Sequence, residues 1–203
     1  MSSRPWLSLF VVLLVAFWVA GCASTPETHF HTLVPTEPLT PAEGVQPDKG
    51  PRIRMETIRV PEAVDQPQWM VRLPDESLVM LEQERWTSAL PDELYNGLLQ
   101  VLHERFGAVD ARSMGAGSPQ WRIRIDVSRF EMRPGLAALE ATWSVTPLEA
   151  GAETLRCSSY YRESAEPGLA AIAAAHRRIV VRLGEAIGDT LRAIQARRVA
   201  NCP

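Results

Sequence analysis

The chain has few of the residues that most often do chemistry. Its 203 residues include three cysteines and four histidines. No Cys-x-x-Cys pair occurs, so a dithiol redox centre has no local motif to build on. The absence of Gly-x-Ser-x-Gly removes the strained elbow of a serine hydrolase. There is no Gly-Lys-Ser/Thr phosphate loop, and Gly115-Ala116-Gly117 lacks the third glycine and the following helix of a dinucleotide loop. A basic block is also missing. Lys and Arg number 21 against 24 Asp and Glu, for a net charge of −3, which leaves no electrostatic footprint for nucleic acid or anionic headgroups. The apolar-rich run from Trp6 to Ala20 is short of the roughly 20 residues a membrane helix needs. These absences read as a non-enzyme without metal or cofactor, and no internal repeat is found.

What that apolar run does have is the order of an export signal. Arg4 supplies positive charge, Trp6 to Ala20 carries none, and small Ala20 and Gly21 precede Cys22. The stretch Val19-Ala20-Gly21-Cys22 resembles the bacterial lipobox. That resemblance implies cleavage between Gly21 and Cys22, diacylglycerol on the Cys22 sulfur and acylation of the new amino group. Small residues let a peptidase approach the backbone, and only a thiol can form the thioether. The expected organisation is a signal peptide over 1–21, a short tether over 22–27 and one domain over 28–203. The anchor is then covalent lipid, not a cofactor.

Removing residues 1–21 takes away Arg4 and no acid, leaving 20 cationic against 24 acidic side chains and a net charge of −4. The remaining 182 residues suit a single domain, and 46% apolar with 22% charged residues can build an ordinary core. Export places Cys157 and Cys202 in an oxidising compartment, where a disulfide could pin the C-terminal tail to a strand. A buried free Cys157 with a frayed Cys202 is the other reading.

Along the chain, His29 to Leu33 reads as a short strand, and a proline-rich loop follows over 34–51. Arg52 to Thr57 alternates as a half-buried strand. Trp69 to Leu73 and Ser77 to Glu82 suggest a hairpin around Pro74-Asp75-Glu76. A helix starts near Pro91, with Leu94, Leu98, Val101, Leu102 and Phe106 on one stripe and Gly107 as its stop. After a short strand over 108–112, Trp121, Ile123, Ile125 and Val127 mark the clearest strand. Its partners lie around Leu139 to Val145 and Thr154 to Arg162, giving an antiparallel meander. A long amphipathic helix from about Gly168 to Arg198 closes the chain, with Gly184 and Gly188 as candidate bends. The expected fold is α+β: a mostly antiparallel sheet with two main helices packed on one face.

Single residues add little chemistry. His29 and His31 share one strand face, where a metal pair is one reading and a solvated strand edge the favoured one. His103 reads as a solvated helix position and His176 as a satisfied, partly buried histidine. Of Trp69, Trp86, Trp121 and Trp143, two lie on expected core faces, and most are expected in the core. Trp86 is a candidate partner contact, with packing favoured.

In this order the chain resembles the ABC-type transport auxiliary lipoprotein family, which includes paraquat-inducible protein C-like lipoproteins. The features are the lipobox at Cys22, Phe30-His31-Thr32-Leu33, Ile58-Arg59-Val60-Pro61 with Asp65-Gln66-Pro67-Gln68, and Arg85-Trp86-Thr87-Ser88-Ala89-Leu90 leading into the first helix. Arg129-Phe130-Glu131 and Ala141-Thr142-Trp143 complete them. His31 departs from the usual aromatic, and the Cys157/Cys202 pair lies outside the pattern. The resemblance implies a periplasm-facing lipoprotein that docks a mammalian-cell-entry-type ABC lipid transport system, with a mammalian-cell-entry-domain protein as partner. Ala23, in place of the aspartate that retains lipoproteins at the inner membrane, implies the outer membrane. A lipid-carrying domain, or a structural envelope lipoprotein without transport, stays open as an alternative, as does a homo-oligomer.

Overall fold

The structure is a computed structural model that describes residues 26–46, 49–113, 117–196 and 202. The signal over 1–21, Gly21 and Cys22 lie outside the described residues, as does the tether before Pro26.

Among the described residues, eight strands and two long helices follow one another as β1 (His29–His31), β2 (Arg52–Met55), β3 (Gln68–Arg72), β4 (Leu78–Trp86), α1 (Leu90–Phe106), β5 (Val109–Asp110), β6 (Trp121–Arg133), β7 (Leu136–Pro147), β8 (Leu155–Ser164) and α2 (Leu169–Gln195). A 3-10 turn at Glu62–Val64 lies between β2 and β3. The helices cover one face of a mixed sheet, so the α+β expectation holds.

β6 is the spine of the sheet. β7 runs antiparallel along one side of it, from Trp121↔Pro147 to Arg133↔Leu136, and β8 continues the meander. The other side of β6 is shared end to end. β2 pairs its start in parallel (Ile53↔Trp121) and β3 pairs its finish in parallel (Val71↔Met132). β4 returns antiparallel on β3, and β1 lies parallel on the last three residues of β4. Alternation sends Ile123, Ile125 and Val127 to the core. A bulge at Ser128 then restores the phase, so that Phe130 and Met132 also face inward.

Each helix begins without a side-chain cap from its N-cap residue, Ala89 or Gly168. α1 ends where Gly107 takes a left-handed φ of 66°, a conformation glycine adopts without a Cβ penalty. α2 runs as one unbroken helix. Gly184 and Gly188 do not interrupt it. A Cβ on Gly184 would sit 2.6 Å from Val101 Cγ1, and one on Gly188 would sit 2.3 Å from the Phe106 ring. The glycines let α1 and α2 approach closely. The proline-rich loop is strapped along α1: Leu39 N donates to Glu104 (2.7 Å), Ala42 N to Arg105 O (2.9 Å) and Gly50 N to Gly107 O (2.9 Å).

Candidate functional site

The first described residues are built into the body. β1 continues into Thr32 and the fully buried Leu33, which lie on α1 so tightly that a Cβ on Gly97 would come 2.9 Å from Leu33 O. Two carboxylates from distant segments hold this entry. Glu84 of β4 receives His29 Nδ1 at 2.9 Å and His31 Nε2 at 2.5 Å, one on each oxygen. Burial works to raise the Glu84 carboxyl, and the hydrogen bonds from His31 and His29 outweigh it, leaving its pKa below the usual value. The Glu84 hydrogen bond, reinforced by its charge, raises His29. The histidine pair sits on the edge strand of the sheet, with His29 exposed and His31 half-buried, and a carboxylate 55 residues from His29 engages it. Among the described residues no cluster fit to hold a metal occurs.

Glu93, in the first turn of α1, is the second carboxylate and is 2% exposed. It accepts from Thr32 Oγ1 (2.7 Å), Leu33 N (2.8 Å), Ser88 N (3.1 Å), Ser88 Oγ (2.9 Å) and Thr87 Oγ1. Burial pushes its pKa up, but the hydroxyl and backbone donors outweigh that and hold it below the ordinary range. Glu93 thereby fastens the entering chain, and the Thr87-Ser88 approach, to the start of the helix. Sequence reading explains this acid only as a favourable helix-start charge. The Thr87-Ser88 pair five and six residues upstream is the signal for more.

A row of rings crosses the core beneath this entry. His31 lies 4.2 Å from Trp69, Trp69 4.9 Å from Trp86, Trp86 6.0 Å from Phe130 and Phe130 4.1 Å from His176. Trp86, the candidate partner contact, is 3% exposed in the middle of that row. Its face of β4 points at the helices, so packing claims it. His176 is fully buried, its Nε2 donates to Glu131 O at 3.2 Å, and burial pushes its pKa down to about 3. It is a neutral packing group with no hydrogen-bond partner at Nδ1 among the described residues. His103 Nδ1 donates to Ala108 O at 3.1 Å, beyond the α1 stop.

The helix-free face of the sheet has a consistent charge character. Alternation on β6 and β8 turns Arg122, Arg124, Arg129, Arg156 and Arg162 outward, and Arg59 joins them beside Asp126. The acids among them are Glu56, Asp126, Glu131 and Glu140. This face is net cationic on a chain that is net anionic. Shallow cavities of about 230 and 630 Å³ line it, one between Arg59, Arg124 and Arg156, the other between Arg54, Arg112 and Arg124. Guanidiniums in this array can take planar acidic groups.

Cys157, on the inward face of β8, is bonded to Cys202 with Cα atoms 5.3 Å apart. The bond fixes the chain near its end to the sheet.

Known proteins can be set beside this geometry. The sequence model for the ABC-type transport auxiliary lipoprotein component matches residues 31–188. A solved protein of Xanthomonas campestris has 19% identity and a TM-score of 0.64, covering 83% of this chain and 97% of its own. A second solved structure, of an uncharacterized protein, has 17% identity and a TM-score of 0.60, covering 74% and 98%. At these identities they speak for the fold alone. No curated protein matches the sequence.

Proposed function

Because the chain belongs to the family of ABC-type transport auxiliary lipoprotein components, whose role implies a transporter partner, we propose that it is a non-catalytic docking module. Acylated Cys22 holds it at the outer membrane, and its sheet face receives the periplasmic end of a mammalian-cell-entry-type lipid transport system. The observation that carries this reading is the net-cationic sheet face opposite the helices. It fits an acidic, mostly extended surface on a partner. Among the described residues no helix is long and apolar enough to cross a membrane, which suits a lipid anchor. Acylation supplies about 0.8 kcal/mol per buried methylene, so several chains make release negligible.

The packing argues against a lipid carried inside the domain. The helix–sheet space is filled by Trp69, Trp143, Leu94, Leu98, Ile123 and Leu139, each 2% exposed or less, and helix approach leaves no room for a Cβ at Gly184 or Gly188. A carrier needs an open apolar cleft there.

A photo-reactive residue at Arg124, in cells, tests the docking. Recovery of a mammalian-cell-entry-domain protein is expected, and Arg124→Glu with Arg156→Glu should abolish transport while leaving the fold intact. A structural envelope lipoprotein would instead yield only other envelope proteins. Cys22→Ala should remove acyl labelling and release or mislocalise the chain; unchanged membrane retention would refute the anchor.

A further inference from the structure

We infer that the outer edge of the β3–β4 hairpin is a second membrane contact, lying in the headgroup layer of the bilayer that holds the anchor. This rests on the Cys22 anchoring proposed above. Leu78, Val79 and Met80 are consecutive and 47%, 37% and 42% exposed. β1 pairs Glu84 to Trp86 of β4 and Thr28 reaches Gln83, so the outer edge over 78–82 carries no strand among the described residues. The closing bond from Leu73 N to Ser77 O sets the antiparallel alternation, which turns the backbone groups of Leu78 and Met80 outward. An apolar open edge is a template for unwanted pairing unless something covers it.

The position of the anchor says what covers it. β1 runs parallel to β4 with each residue beside the one 55 positions on, and the Thr28–Gln83 bond keeps that offset. The chain therefore enters from the side of the hairpin tip. Cys22 to Thr28 can span at most about 21 Å at roughly 3.5 Å per residue. The hairpin reaches back from Gln83 to Ser77 by about 20 Å at roughly 3.3 Å per residue. The two spans match, so a bilayer surface that holds Cys22 can also meet the hairpin. The Pro134-Gly135 turn lies at the same end, where Arg133 pairs with Glu76. Leu148 lies at the other.

The headgroup layer supplies water and ester oxygens to the outward backbone groups while the side chains reach the acyl boundary. Charge does not drive the contact. Near the tip Arg72 and Arg133 are offset by Glu76 and Glu131, with Asp75 adding a further acid. The contact should therefore be indifferent to anionic lipid.

The test uses the full, acylated chain in phosphatidylcholine vesicles, with and without phosphatidylglycerol, containing phospholipid labelled in its acyl chains. A diazirine residue replaces Val79, Met80 or, as the far-end comparison, Leu148. Severalfold more phospholipid adduct at 79 and 80 than at 148, unchanged by phosphatidylglycerol, is the expected result. Equal yields overturn the inference, as do adducts only to a second copy of the chain, or a requirement for phosphatidylglycerol. Acyl labelling of Cys22 in the same sample separates the two ideas. If the label is present and the adduct missing, the hairpin contact alone fails. If the label is missing, the anchoring reading fails and the contact falls with it.

Discussion

Replacing Glu93 by glutamine puts an amide NH2 among five donors that converge on a carboxylate from Thr32, Leu33, Thr87 and Ser88. At least one of them then loses its acceptor inside a 2% exposed site. The loss should be about 2–3 kcal/mol in denaturant unfolding, the size expected for hydrogen bonds to a buried charge. The sign of the pH effect follows from the depressed carboxyl. Its contribution is full above 4.5 and is lost as pH falls through the lower folded value. Glu93→Gln should therefore also flatten the acid limb of stability against pH. Trp86→Ala should cost about 3–5 kcal/mol, as a core aromatic does, with no effect that depends on a partner. Both residues belong to one short stretch that is visible in sequence. What the sequence does not show is that Glu93 faces Thr32 and Leu33, sixty residues away, because a local pattern carries no long-range pairing.

At the scale of elements, the α1–α2 crossing depends on missing side chains. Alanine is about 1 kcal/mol better than glycine within a helix, yet Gly184→Ala should destabilise by about 1–3 kcal/mol, because Val101 Cβ lies 2.8 Å from the new atom. Pairing it with Val101→Ala should recover most of the loss, and a double-mutant cycle in thermal unfolding measures the coupling. The β1–β4 contact depends on pH. His29, raised by its Glu84 hydrogen bond and helped by Glu27, contributes fully below 6.5 and loses that contribution as pH rises through its higher folded value. Glu84 contributes above 4.5 and loses it on acidification. Amide protection of Phe30 and His31, corrected for intrinsic exchange, should be greatest between pH 4.5 and 6.5 and fall as pH rises above that window. Periodicity locates both helices, the β3–β4 hairpin and the β6–β7–β8 meander. It does not locate the parallel pairings of β1, β2 and β3, since strands brought together across a chain leave no turn signal between them. Gly184 and Gly188 mislead for a related reason: a kink and a close approach look alike until the facing helix is known.

For the whole molecule, the Cys157–Cys202 bond closes a loop of 45 residues that contains all of α2. Chain entropy alone gives about 4 kcal/mol for such a loop. Cys157→Ala, or reduction, should lower the denaturant midpoint by a corresponding amount, with the slope rising as the unfolded chain expands. An even cysteine pair in an exported chain suggests such a bond but cannot bring two Cα atoms to 5.3 Å. The cationic sheet face is legible in sequence only as a polar alternation, because its net sign emerges once β6, β8 and Arg59 share one surface. The parallel seating of β1 on β4 has a mechanical meaning as well. A partner that tugs the body away from an anchored amino end loads this joint along the strand axis. The ladder bonds, the histidine–Glu84 pair and the Thr32–Glu93 bond then share the load in shear, so none of them can be peeled away singly. Pulled from its amino end, the domain would resist as a whole joint and not one bond at a time.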